Sequence, residues 1–184
     1  MQARHYCQQY KNMKLIIGLG NPGEKYASTR HNAGFIALCA FAERKGAAEF
    51  KKDEMLKACY AKIRGAVLLL PQTFMNDSGS GAAAAAKIFK TPPENILVIH
   101  DDIDLPFGTY KLQIGRGAAG HHGVESIIQA LVTKKFWRLR IGVNPEKKPK
   151  NVPAFILKNF SKVERTAFNS QLDTICNVIQ DWIV

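Results

Sequence analysis

His31 follows Thr29-Arg30 and precedes Asn32, at the start of an expected helix. An imidazole can take a proton from water when a carboxylate fixes its tautomer and stabilises its charged form. Three carboxylates stand together in Asp101-Asp102-Ile103-Asp104, directly after a strand ending at His100. Three readings fit them: oxygen ligands for Mg²⁺, caps of a loop, or a partner for His31 through Asp101. A lone histidine is usually structural or solvated, so the residue types alone leave all three open. Gly18-Leu-Gly20-Asn-Pro-Gly23 formally matches the dinucleotide pattern G-x-G-x-x-G after a strand. Pro22 interrupts it, and no strand ending in Asp or Glu follows about 20 residues later. The glycines are better suited to a turn that presents Asn21 at the C-terminal edge of the sheet, where open α/β sheets place their sites. Neither G-x-S-x-G nor H-E-x-x-H occurs, so water is the expected nucleophile of a hydrolytic reaction.

The metal and redox signals are also weak. Cys7, Cys39, Cys59 and Cys176 are far apart and form no CxxC pair. Cys39 and Cys176 lie among apolar residues at helical spacing and are expected to be small core residues. No metal and no cofactor is expected. The formal charge of +11 over 184 residues attracts polyanions, nucleic acid above all. Much of it falls late, in Lys134, Lys135, Arg138, Arg140, Lys147, Lys148 and Lys150. No apolar run approaches the roughly 20 residues of a membrane span, and the polar opening residues lack a signal-peptide pattern. A cytoplasmic protein is expected.

The length predicts one domain, and no repeat or low-complexity linker divides it. Residues 1–12 are polar, match no element and are expected to form a flexible extension. The domain proper is expected over 13–184. Lys14 to Gly18 reads as a strand, and Ala33 to Arg44 as a helix closed by Gly46. Lys57 to Ile63 and Val67 to Leu70 read as a hairpin around Arg64-Gly65. Asn76 to Ser78 offer caps for a helix over Ala82 to Phe89. Further strands are expected at Ile96 to His100, Thr109 to Ile114 and Trp137 to Val143, with a helix over Val124 to Val132 after the glycine-rich loop. Ser161-Lys-Val-Glu164 is a capping box. Phe168, Leu172, Ile175, Cys176, Ile179 and Ile183 then form an apolar stripe. The mixture predicts an α/β fold, a single domain whose central sheet is mixed and mostly parallel, with helices on both faces.

Taken together, four ordered motifs are specific. Lys14-Leu-Ile-Ile-Gly-Leu-Gly-Asn-Pro-Gly-Glu-Lys-Tyr26-Ala-Ser-Thr-Arg-His31-Asn-Ala-Gly-Phe resembles the opening of bacterial-type peptidyl-tRNA hydrolase. Pro71-Gln-Thr-Phe74-Met75-Asn76-Asp-Ser-Gly resembles its second motif, His100-Asp101-Asp-Ile-Asp-Leu-Pro-Phe-Gly its third, and Gly120-His121-His122-Gly123 its fourth. Arg138-Leu-Arg140-Ile-Gly-Val continues the match. The resemblance spans roughly residues 13 to 184.

The resemblance implies hydrolysis of the ester joining a peptide to the terminal ribose of tRNA, which recycles tRNA from chains dropped by the ribosome. It implies a monomer whose partner is peptidyl-tRNA. His31 is the implied base and Asp101 its partner. Asn21 completes the catalytic set by recognising the peptide backbone and helping to reject unblocked aminoacyl-tRNA. Asn76 is implied to bind the peptide backbone near the ester. Tyr26 and Phe74 line the substrate site, and His122 and Arg140 contact substrate and tRNA. Amides suit this task because each donates and accepts without adding charge. The chain departs from the family at two places. His122 stands where the family usually has asparagine, and Gln113 where it often has a basic residue that grips the tRNA 5′ phosphate with the Arg140 position. Arg116 or Lys111 could substitute for that basic group. Two other functions compete. One is a non-catalytic RNA-binding module on the same fold, resembling splicing factors. The other is a nucleotide-dependent enzyme using the glycine turn.

Overall fold

The computed structural model describes residues 13–47 and 49–184. Leu15, Ile16 and Ile17 are apolar in both alternating directions, so the strand that carries them must be covered on both faces. That strand, β1 (Lys14–Gly18), lies at the centre of a seven-stranded sheet. The other strands are β2 (Lys51–Asp53), β3 (Ala58–Ile63), β4 (Ala66–Pro71), β5 (Ile96–Pro106), β6 (Tyr110–Ile114) and β7 (Trp137–Asn144). The order is β2-β3-β4-β1-β5-β7-β6. The inner four strands, β4, β1, β5 and β7, run parallel. The outer pairings, β2 with β3, β3 with β4 and β6 with β7, are antiparallel. The C-terminal ends of the inner strands therefore share one edge.

Five helices complete the described fold: α1 (Ala33–Arg44), α2 (Ser78–Ile88), α3 (His122–Leu131), α4 (Val152–Ile156) and α5 (Lys162–Ile183). Strand alternation divides the core. Ile16, Leu68, Leu97 and Ile99 pack with Leu38 and Phe41 of α1 and with Phe168, Ile175 and Ile179 of α5. Leu15, Ile17, Val67, Val98 and Leu69 pack with Ala82 and Ala85 of α2 and with Val124 and Ile127 of α3. Each fully buried Leu or Ile contributes roughly 1.5–3 kcal/mol, so both layers are needed. Helices cover both faces, as the sequence predicts. No helix is long and apolar enough to cross a membrane among the described residues.

The structure corrects several expectations. Cys39 is exposed rather than a core residue, whereas Cys176 is buried. Strand β5 continues six residues past His100, because β7 supplies partners beyond that point. Helix α2 begins at Ser78, and its N-cap Asp77 makes no side-chain capping bond. Helix α3 begins at His122, two residues before the expected start. Strand β2 and helix α4 had no sequence counterpart. The expected flexible extension over residues 1–12 lies outside the described residues.

Candidate active site

Close packing brings the first motif to the third. A Cβ on Gly34 would lie 2.2 Å from the Ile99 carbonyl oxygen, and one on Gly18 would lie 2.7 Å from the Gly34 carbonyl oxygen. Only glycines let the start of α1 rest directly on β1 and β5. The 3-10 turn Arg30–Asn32 immediately before α1 is thereby set over the middle of β5. His31 Nδ1 lies 2.9 Å from Asp101 Oδ1 across a separation of 70 residues. The same oxygen lies 3.0 Å from Nε2 of His121. His121 is the N-cap of α3, and its Nδ1 accepts the Val124 N–H at 3.3 Å. With Nδ1 accepting, the proton of His121 sits on Nε2 and points at Asp101.

The electrostatics follow from this geometry. Asp101 is 3% exposed. Burial alone would raise its pKa, but the charges and hydrogen bonds of His31 and His121 overcome that and hold it far below the usual carboxylate range. Burial lowers the pKa of His31, and the charge and hydrogen bond of Asp101 outweigh it, so the net shift is upward. Because Nδ1 faces the ionised Asp101, neutral His31 carries its proton there and leaves Nε2 as the basic nitrogen. His100 is fully buried behind this pair, with Nδ1 2.6 Å from the Asp101 carbonyl oxygen. Burial first, and the neighbouring His121 second, push its pKa well down, which keeps it neutral.

A second set of bonds fixes the glycine turn. Asn32 accepts the Asn21 N–H through Oδ1 and donates to the Asn21 carbonyl through Nδ2, both at 2.9 Å. The Asn21 side chain accepts the Met75 N–H at 2.8 Å through Oδ1. Met75 begins the 3-10 turn Met75–Asp77, which carries Asn76, and Phe74 precedes it. Asn76 and Phe74 are exposed, and Tyr26 is half-buried in the turn Glu24–Tyr26. The first two motifs are joined through Asn21 and Met75.

Arg140 is committed elsewhere. Its Nε donates to Asp102 Oδ2 at 2.5 Å and its Nη1 to Gln113 Oε1 at 3.2 Å, and its side chain is 12% exposed. Arg138, counted in the late basic cluster, is buried and donates to the Gly117 carbonyl at 2.9 Å. Asp104 pairs with Lys148. Each of the three neighbouring carboxylates thus has its own basic partner. One group spaced for a metal ion occurs among the described residues: His31, Asp101 and His121, with ligand atoms within 4.8 Å of one another. A metal there would displace the protons that both imidazoles share with Asp101.

These residues open into a cleft of about 370 Å³. His31, Asp101 and His121 line one end, and Ile103, Val152 and Ile156 form an apolar wall. His122 also lines the cleft, but its side chain is 73% exposed, and Nδ1 lies 3.8 Å from Glu125 Oε2. Asn21, Tyr26, Phe74, Asn76 and Arg140 are not among the lining residues. Sequence reasoning missed His121 as the second partner of Asp101, and the Asn32 clamp. The adjacent histidines of Gly120-His-His-Gly123 carried a signal for His121, whereas nothing marked Asn32.

The chain is similar to known proteins along most of its length. The peptidyl-tRNA hydrolase family model matches residues 15–184. A peptidyl-tRNA hydrolase of Mycobacterium tuberculosis is 44% identical over 171 residues, 91% of this chain and 87% of that protein. One from Mycobacteroides abscessus is 46% identical over 154 residues, 82% of this chain and 78% of that protein. The crystal structure of peptidyl-tRNA hydrolase from Acinetobacter baumannii superposes with a TM-score of 0.86 at 34% identity, covering 94% of this chain and 89% of that one. A match along nearly the whole length, in sequence and in fold, means that the chain belongs to the peptidyl-tRNA hydrolase family.

Proposed function

We propose that the chain hydrolyses the ester between a peptide and the terminal ribose of tRNA, with His31 as the base. Water on Nε2 of His31 loses a proton to it as the oxygen attacks the ester carbonyl. Asp101 holds the Nδ1–H tautomer and stabilises the imidazolium. The tetrahedral intermediate collapses, the ribose oxygen leaves, and the imidazolium returns the proton to it. His121 donates to the Asp101 oxygen that receives His31, which adds a second tether to the carboxylate that orients the base. Asn21 has only Nδ2 to offer, which suits donation to a peptide carbonyl or to the developing oxyanion. The family resemblance assigns Asn76, exposed on the adjoining turn, to the peptide backbone, and Tyr26 and Phe74 to the substrate. The apolar wall of the cleft suits peptides of varied sequence.

The protein is read as a cytoplasmic monomer working without metal or cofactor. The observation that carries the reading is the buried carboxylate shared by two imidazoles at the end of a cleft. His31→Ala is expected to lower turnover of peptidyl-tRNA by roughly 10²–10⁴-fold while tRNA binding persists. Release of free tRNA from peptidyl-tRNA, measured beside a binding titration, checks it. Near-normal release in the variant removes His31 from the chemistry. A protein that only bound RNA would show no release even as wild type.

A further inference from the structure

Arg30 is the residue before the base, and the chemistry above gives it no part. It is nevertheless buried, and it uses its whole guanidinium. Nε and Nη2 grip Glu164 of α5, with Nη2 at 2.9 and 2.6 Å from the two carboxylate oxygens. Nη1 donates to three carbonyls, Phe155 at 3.3 Å, Lys158 at 3.1 Å and Asn159 at 3.0 Å. The guanidinium also lies 4.1 Å from the centroid of the Phe155 ring. The backbone joins in: Arg30 N–H donates to the Lys158 carbonyl at 3.2 Å, and Phe160 N–H to the Ser28 carbonyl at 3.0 Å.

The segment gripped in this way is the wall of the cleft. Helix α4 has five residues and no buried one, so neither helix propensity nor core packing can hold it. Its start is capped by Asn151, whose side chain accepts the Ala154 N–H at 3.1 Å. Beyond its first turn the chain is held by Arg30, which takes the carbonyl of Phe155 in the helix and those of Lys158 and Asn159 just after it. Val152, Pro153 and Ile156 of the same helix line the cleft. One turn therefore holds the base in one residue and the wall in the residue before it.

We infer that Arg30 is a positioning residue that indexes the α4 wall to His31, and so fixes the width of the cleft in which the peptide lies. The inference rests on the cleft being the peptide site of the proposed hydrolysis. Lysine cannot replace Arg30: one ammonium has three donors and no planar fork, and cannot bind a carboxylate bidentately while serving three carbonyls.

The test is steady-state kinetics on peptidyl-tRNA for Arg30→Lys and for Glu164→Gln, well below the unfolding temperature, with hydrogen exchange on the same samples. Arg30→Lys is expected to raise KM about tenfold, the effect of losing one charge-assisted hydrogen bond. kcat and the acid limb of its pH profile should stay as in wild type, because the His31–Asp101 bond is untouched. Exchange protection should fall in residues 152–160 and not in the strands. Glu164→Gln, which leaves Arg30 in place but weakens its anchor, should move KM the same way and less. If Arg30→Lys does not fold, Glu164→Gln alone decides. A folded variant with wild-type KM overturns the inference. So does a displaced acid limb, which would mean that Arg30 acts on the proton of His31. Substantial turnover by His31→Ala would instead sink the base assignment, a separate failure.

Discussion

Asp101 and Asp102 are neighbours on β5 and both line the cleft, yet alternation along the strand turns them to different partners. On one side Asp101 receives two imidazoles through one oxygen. On the other, Asp102 receives Nε of Arg140 and the Asp104 N–H. The residue type is the same, and both are buried. The partners differ: imidazoles titrate near neutrality, whereas a guanidinium stays charged at every working pH. The Asp101 side can pass a proton. The Asp102 side can only hold a shape or present a charge. A run of acids in a sequence thus says little about chemistry until each acid has its partner.

The largest effect that tests this contrast is expected from Asp101→Asn. Its turnover should fall by about 10³-fold or more, through a wrong tautomer and a lost counter-charge. The pH profile should move in a defined direction. Hydrolysis needs neutral His31, so the acid limb rises as pH passes its pKa. Asp101 stays ionised far below that range, so the limb belongs to His31 in the wild type. With the carboxylate gone, burial alone remains, and it lowers the pKa of His31. The limb should therefore shift to lower pH as the plateau drops. A pH–rate series checks both, and a limb that stays in place would break the coupling between the two residues.

A smaller and opposite pattern is expected on the other side. Asp102→Asn should leave kcat near wild type, because Asp102 touches neither imidazole. It releases Arg140 from its partner, so tRNA affinity at low salt should increase. Arg140→Ala should weaken binding and reduce the slope of log affinity against log salt by about one contact. It also leaves Asp102 as a buried carboxylate without its partner, which costs about 3–5 kcal/mol, visible as a lower melting temperature. Titrations at several salt concentrations, with thermal melts alongside, check these outcomes. Equal losses of kcat in Asp101→Asn and Asp102→Asn would erase the distinction between the two sides.

The same contrast explains what the sequence revealed. β1, α1, the β3–β4 hairpin and the capped α5 were legible, because each is a run of one period bounded by a glycine or a cap. β5 was legible only to His100, where apolar residues give way to charged ones; what continues it is pairing with β7, which leaves no local trace. The start of α2 was not legible, because Ser78, Gly79 and Gly81 carry no apolar pattern. Gly79 is there for contact: a Cβ would lie 2.2 Å from the Ser126 carbonyl oxygen. His31 and Asp101 were legible as candidates, but composition and spacing could not join two residues 70 positions apart, and the family resemblance did. Arg30 and Asn32 escaped notice because most of their partners, the carbonyls of Phe155, Lys158 and Asn159 and the backbone of Asn21, are not side chains, and Glu164, the one carboxylate that Arg30 grips, lies 134 positions away.

The smallest effect concerns His122 and the phase of α3. A helix starting at Val124 would leave both histidines in a loop, and either could face the site. Starting at His122, it makes His121 the N-cap, turned back to Asp101, and His122 the first helical residue, turned to solvent. His122→Asn restores the residue usual in the family at this position and removes an exposed imidazole whose nearest charged partner, Glu125, is 3.8 Å away. Such a change should alter kcat/KM by no more than about twofold, as expected of a surface substitution. The acid limb should superimpose on the wild-type limb, because His122 has no contact with Asp101 or His31. The comparison is sharpest at low substrate concentration, where a residue at the cleft mouth acts on capture rather than on the bound ester. A displaced limb in His122→Asn would mean that substrate draws this imidazole inward, making His122 part of the reacting site. A large loss of turnover would go further, because it would make the histidine, and not the asparagine it replaces, the group this protein needs.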